Sequence, residues 1–348
     1  MTKCQNKRDT PEVFRSKSHK GVVLDRSHMG FDKNAACFAS IFWDKEKSNK
    51  IYLAYTGASD LKFSDASIGL AESDDGLNFR KLNEVNPLVS SRSLGNQQCV
   101  TPVIFVIKDA YYMVFSTKPF GGGRRICLAW SDEIRGPWHY AGELIRPRSL
   151  WEGYDIDLGP SIVKLTEDEV LIYYSNVSNK RYWDLLFGPK YWHRRIGVLR
   201  LKITSSKSFK AYRFCGNPLG NLNGSAKSWN ESLFCPGYMN FEGTHYLFPA
   251  TSTYSVGYPY TSCIGLVADT SPYFQNPSYK EILIDGPREK QLILPTVKSE
   301  ITFDSPCPII MGDKLHLYYS VMDRADEVWR EALTIFDLNG RYTSSNGC

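Results

Sequence analysis

A segment of about fifteen residues recurs along the chain, and it constrains the fold more than any other feature. Residues 102–116 read PVIFVIKDAYYMVFS, residues 160–175 PSIVKLTEDEVLIYYS and residues 306–320 PCPIIMGDKLHLYYS. Each copy runs from a proline through a β-branched or aromatic stretch and a charged turn to an aromatic-rich stretch ending in serine. A fourth copy, PGYMNFEGTHYLFPA at 236–250, keeps the spacing, and a looser first copy is ASIFWDKEKSNKIYLAYT at 39–56. After each copy comes a second short signal: SIGLAESDDG from Ser67, RICLAWSDEIRG from Arg125, RIGVLRL from Arg195, CIGLVAD from Cys263 and EALTIFDLNG from Glu331.

Apolar or alternating runs bounded by Asp, Gly, Asn and Ser turns are strand signals, and no stretch holds a clean 3.6-residue apolar period. The chain is therefore expected to be all-β. Five repeats of three or four strands each suit radial repetition, because one isolated four-stranded sheet leaves its faces and edges unsatisfied. The expected architecture is a five-bladed β-propeller over residues 25–348, preceded by an N-terminal extension over 1–24. Its inner strands are expected to begin near Phe38, Pro102, Pro160, Pro236 and Pro306. A β-sandwich of unrelated hairpins would not produce the same two signals five times in one order.

The 348 residues, 42% of them hydrophobic and 14% aromatic, can bury a large core. No apolar run approaches a signal peptide's core or a membrane span, so a cytoplasmic location is expected. Nine cysteines without metal-finger spacing read as packed free thiols. The net charge of +5 is spread along the chain without a basic block, so nucleic acid is not an expected partner. His28, His139, His193, His245 and His316 show no ligand spacing, and no metal or cofactor is expected. KPFGGGRR at 118–125 lacks the ending of a phosphate-binding loop and reads as a hairpin tip.

SIGLAESDDGLNFRKLNEVNPL and ICLAWSDEIRGPW resemble phrases of the five-bladed glycosidases of the family 43, 32 and 130 type, and the resemblance runs from about Asp25 to Asp337. It implies a sugar-cleaving enzyme with a central funnel, where carboxylates just before each inner strand's proline act as base, acid and pKa-tuning group. Here Phe38, Thr101, Gly159, Cys235 and Ser305 stand at those five places, and none is acidic.

Carboxylates gather close by. Asp155 and Asp157 lie two apart in WEGYDIDLGP and share one face of an extended strand. Asp304 lies two before Pro306, Asp32 precedes the first blade, and Glu300 stands further out. Acid and base on separate blades are what inverting hydrolysis requires, with Asp157 or Asp155 opposite Asp304 or Asp32. Just before the second signal, Arg125, Arg195 and Glu331 align, with Arg124, Arg194 and Arg330 one residue earlier. If Arg125, Arg195 and Arg330 face the funnel, the bound carbohydrate is anionic or phosphate is the second substrate. Trp151, Tyr154, Trp183, Tyr191 and Trp192 crowd the third repeat and could stack on sugar rings or fill the core. Three functions stay open: an inverting furanosidase-type hydrolase, a phosphate-dependent phosphorylase, and a propeller that only binds a glycan or a protein.

Overall fold

The computed structural model describes residues 14, 16–83, 85–178, 194–205, 208–225, 228–252 and 262–338. The chain opens with β1 (Lys17–Leu24). Blade I is β2 (Ala35–Asp44), β3 (Lys50–Ala58), β4 (Ser67–Ser73) and β5 (Arg80–Lys81). Blade II is β6 (Asn96–Ile107), β7 (Ala110–Pro119), β8 (Arg125–Ser131) and β9 (His139–Ile145). Blade III is β10 (Asp155–Lys164), β11 (Glu169–Ser178), β12 (Ile196–Ser205) and β13 (Ser208–Arg213). Blade IV is β14 (Ser232–Phe241), β15 (Thr244–Ser252), β16 (Ser262–Asp269) and β17 (Tyr279–Asp285), followed by helix α1 (Gly286–Ile293). Blade V is β18 (Ile301–Met311), β19 (Lys314–Asp323), β20 (Trp329–Asp337) and, returning from the start of the chain, β1.

Every blade is an antiparallel meander. The inner strands contact one another in a closed ring: β2 with β6, β6 with β10, β10 with β14, β14 with β18 and β18 with β2. The fold is thus the expected five-bladed propeller. Its fifth blade is completed by the N-terminal strand, so Lys17–Leu24 belong to the propeller and not to an extension. KSHKGVVL is polar over its first half and lies outermost in its blade, which weakens its strand signal.

Between blades both faces of each sheet are buried, which explains the near-continuous apolar strands. On β11, Ile172 and Tyr174 face blade II while Leu171 and Tyr173 face blade IV, the two-residue alternation of a strand used twice. At the axis the inner strands approach so closely that a Cβ on Gly159 would strike the Pro236 carbonyl and one on Gly237 the Pro306 carbonyl. The far end of the axis opens into a cavity of about 440 Å³ lined from all five blades, by Ile41, Val103, Ile162, Tyr238 and Ile309 among others.

The repeated proline marks a bulge rather than a strand start, because the inner strands begin three to six residues earlier than expected. Register slips at this place in every blade, at Cys37/Ser40, Val100/Val103, Leu158/Ile162, Phe234/Gly237 and Asp304/Cys307. Four of the residues in the bulge, Phe38, Thr101, Cys235 and Ser305, have φ between 41° and 52°. A bulge withdraws an N–H from the ladder, and a buried N–H needs another acceptor. The repeat's terminal hydroxyl supplies it from the preceding blade: Phe38 N donates to Ser320 Oγ (2.6 Å), Thr101 N to Thr56 Oγ1 (2.9 Å) and Cys235 N to Ser175 Oγ (3.3 Å). In three of the five blades the hydroxyl that closes the repeat is a stitch to the next blade.

Candidate active site

The bulges lie at the mouth of the funnel, and the carboxylates gather beside them. Asp157 on β10 is opposite Ser175, and Asp304 on β18 is opposite Ser320. They occupy one register position on blades III and V, although Asp157 is three residues before its proline and Asp304 two. Blade III carries one more residue in its bulge than the others, which sets Asp157 one residue further from its proline.

Asp157 is nearly buried, and both its oxygens have partners. Its Oδ1 accepts from Thr101 Oγ1 (2.6 Å) and Leu158 N (3.0 Å), and its Oδ2 is ion-paired with Arg124, which also donates to Gln98 Oε1 (3.0 Å). Asp304 is partly accessible, and its Oδ1 accepts from Ser305 Oγ (3.0 Å). Burial raises the Asp304 carboxyl above the usual carboxylate range; the Arg194 charge opposes this and the Asp157 charge reinforces it. The Asp157 charge therefore reaches the Asp304 carboxyl. The Cys235 thiol beside them is pushed up by burial and by both acids.

Glu331 is a third acid in this group. Its Oε1 accepts from Ser320 Oγ and from Ala39 N (3.1 Å), while its Oε2 is buried with no hydrogen-bond partner. Burial, with the Asp304 charge adding to it, lifts Glu331 to about 8, so it is mostly protonated at neutral pH. In register it matches Ile68, Ile126, Ile196 and Ile264 of the other blades, one position away from Arg125 and Arg195. Sequence alignment of Glu331 with those arginines is corrected by this register; Arg330 is their true counterpart.

Other expected site residues are placed elsewhere. Asp32 has no exposed surface and is held by Lys81 Nζ (2.6 Å) and Tyr55 OH (3.0 Å), so it cannot touch a substrate. Asp155 accepts from Arg124 N (2.6 Å) and ties blade III to blade II. Arg125 is ion-paired with Glu143 (2.7 Å), and Arg195 is exposed with its N–H on Asn176 Oδ1 (2.6 Å). Arg330 is paired with Asp326 (2.8 Å) and Asp25 (3.3 Å), and Glu300 with Lys290 (2.6 Å). Trp151 packs on Tyr174, 5.5 Å between centroids, and fills the space over Gly197. Trp183, Tyr191 and Trp192 lie outside the described residues. The arginines that do act on the acids, Arg124 and Arg194, are the neighbours of the two expected ones. Strand alternation sends adjacent side chains to opposite faces.

One wall of the mouth was not foreseen. Phe38 sits 5.5 Å from Phe63 and 5.1 Å from Trp329, centroid to centroid, and all three are partly exposed. Phe63 lies in a loop and Trp329 begins β20, so neither carried a repeat signal.

No family model and no curated protein matches the chain. Solved structures do. A thermostable family-43 glycoside hydrolase aligns at 13% identity over 89% of this chain and 91% of its own, with a TM-score of 0.61. A family 117 glycoside hydrolase from the marine bacterium Zobellia galactanivorans aligns at 13% identity over 94% and 92%, with a TM-score of 0.58. An α-L-arabinanase from Cellvibrio cellulosa, complexed with arabinohexaose, aligns at 14% identity over 86% and 91%, with a TM-score of 0.54. The chain has the fold of these glycoside hydrolases. Among the described residues no helix is long and apolar enough to cross a membrane, and seven cysteines are free thiols.

Proposed function

We propose that this protein hydrolyses a glycosidic bond of a furanoside or related sugar at the funnel mouth, with Asp304 as general acid and Asp157 as the opposing carboxylate. The observation that carries this reading is the common register of the two residues on blades III and V, with Asp304 raised by burial and by the Asp157 charge. A carboxyl with a raised pKa is the better proton donor to the departing sugar oxygen, and the Arg194 charge then stabilises the carboxylate left behind. Asp157 is oriented by Thr101, Leu158 N–H and Arg124 to align the attacking water. Phe38, Phe63 and Trp329 offer rings on which the apolar face of a sugar can stack.

Water is favoured over phosphate as the attacking group because Arg124 is already committed to Asp157 and Gln98. Arg125 is ion-paired with Glu143, which favours a neutral sugar over an anionic one. The test is release of reducing sugar from α-L-arabino-oligosaccharides with and without inorganic phosphate. Phosphate-independent release supports hydrolysis. Release only with phosphate indicates a phosphorylase, and binding without release leaves a glycan-binding propeller.

A further inference from the structure

A second cleft opens where blades I and II meet, and the catalytic reading makes no use of it. It encloses about 360 Å³ and is lined by Ser59, Asp65, Arg92, Asn96, Gln97 and Phe120 among others. It adjoins the funnel. Asn96 and Gln97 immediately precede Gln98, whose side chain accepts from the Arg124 that holds Asp157. At about 3.3 Å of rise per strand residue, the cleft begins within about 7 Å of that partner.

Its parts are rigid and only partly satisfied. Phe120 is 74% exposed at the tip of the β7–β8 hairpin. That hairpin is pinned to blade III, because Tyr154 OH donates to Gly121 O (3.3 Å) and Gly123 leaves no room for a Cβ against the Tyr154 carbonyl. An exposed ring on a fixed support is a stacking surface held ready. Arg92 is exposed, and its turn is fixed by Gly95 N donating to Arg92 O (3.0 Å) and Asn96 N to Ser91 O (2.9 Å). The acids of the cleft are engaged locally: Asp65 by Ser59 N (3.1 Å) and Ser59 Oγ, and Asp60 by Lys62 N (2.7 Å) and Ser64 N (3.1 Å). One cation among carboxylates does not favour an anion. A ring to stack on, a guanidinium fork and the carboxamides of Gln97 and Asn96, the latter already donating to Leu94 O (3.2 Å), suit the apolar face and the hydroxyls of a neutral sugar.

We propose that the blade I–II cleft is a distal subsite for a further neutral sugar unit, so that the substrate is an oligosaccharide running from the funnel mouth over Asn96 and Gln97 onto Phe120. The proposal rests on the sugar-cleaving assignment for the class of ligand and not for its test, which reads binding without turnover.

Linear α-L-arabino-oligosaccharides of two to six units are titrated calorimetrically into the Asp304→Asn protein and into the same protein carrying Phe120→Ala or Arg92→Ala. The expected result is affinity that rises with length and then levels off, with each added substitution weakening the longer ligands about tenfold and leaving the disaccharide unchanged. Tenfold corresponds to about 1.4 kcal/mol, the size of one stacking or charged hydrogen-bond contribution. Equal loss for all lengths, no loss for any length, or no binding of any member overturns the subsite. If the parent hydrolyses the disaccharide while both substitutions leave the length profile unchanged, the subsite fails and the hydrolase assignment stands. If the parent cleaves nothing yet the Phe120-dependent length profile appears, the assignment fails and the subsite stands.

Discussion

Asp157 and Asp304 occupy the same place in their blades, one opposite Ser175 and the other opposite Ser320, with bulges of different length behind them. The same serines receive the bulge N–H groups of the next blades. The carboxylates are thus held at one depth by the contacts that join blade to blade.

Those stitches are expected to cost stability when cut. Ser175→Ala or Ser320→Ala leaves the N–H of Cys235 or Phe38 without its acceptor, a loss of about 1–3 kcal/mol in each case. Denaturant unfolding monitored by tryptophan fluorescence measures it. A change within about 0.5 kcal/mol, the usual range for a neutral surface substitution, would show that the hydroxyls do not join the blades.

Stability is expected to fall with rising pH because of Glu331. Its carboxyl titrates at about 8 in the folded chain, against a usual 4.5. Below pH 4.5 folded and unfolded forms both keep the proton. Between the two values the unfolded chain has released it and the folded chain has not, so this contribution is full below 4.5 and lost as pH passes through 8. Glu331→Gln should flatten that decline in a melting-temperature series from pH 5 to 9. An identical slope in parent and variant would assign the decline to other groups.

Glu152 is expected to behave in the opposite sense. It is fully buried and accepts from Arg213 Nε (2.7 Å), Arg148 N (2.7 Å), Tyr174 OH (2.8 Å) and Ser149 N (3.1 Å). Burial acts to raise its pKa, but these donors prevail and hold it below the usual range, so its contribution is present above pH 4.5 and lost in acid. Glu152→Gln leaves Arg213 without its counter-charge and should cost about 2–4 kcal/mol at neutral pH, with less acid sensitivity remaining. A variant as stable as the parent would show that the Arg213 pair contributes nothing net.

The fivefold repeat was legible because both faces of every blade are buried, which keeps the strands apolar and the turns polar. The serine was visible as a pattern, but its meaning required the neighbouring blade. At the site, Asp157 and Asp304 were legible as acids before a proline, whereas their equivalence was hidden by the extra bulge residue of blade III. Arg125 and Arg195 were singled out in place of Arg124 and Arg194 because alternation decides which of two adjacent side chains reaches the acids, and a single sequence does not give its phase. Asp32 looked free because its partner, Lys81, is 49 residues away on an outer strand. Glu331 was noticed only as a break in a row of arginines; the row was one residue out of register.

The most direct test compares the parent with Asp304→Asn in turnover and in calorimetric binding of the same arabino-oligosaccharide. The change keeps shape and removes the transferable proton. Turnover is expected to fall by about 10²–10⁴-fold, with binding and thermal stability close to the parent's. Turnover equal to the parent's would contradict Asp304 as the acid and, with it, the assignment of the funnel mouth as the site of bond cleavage.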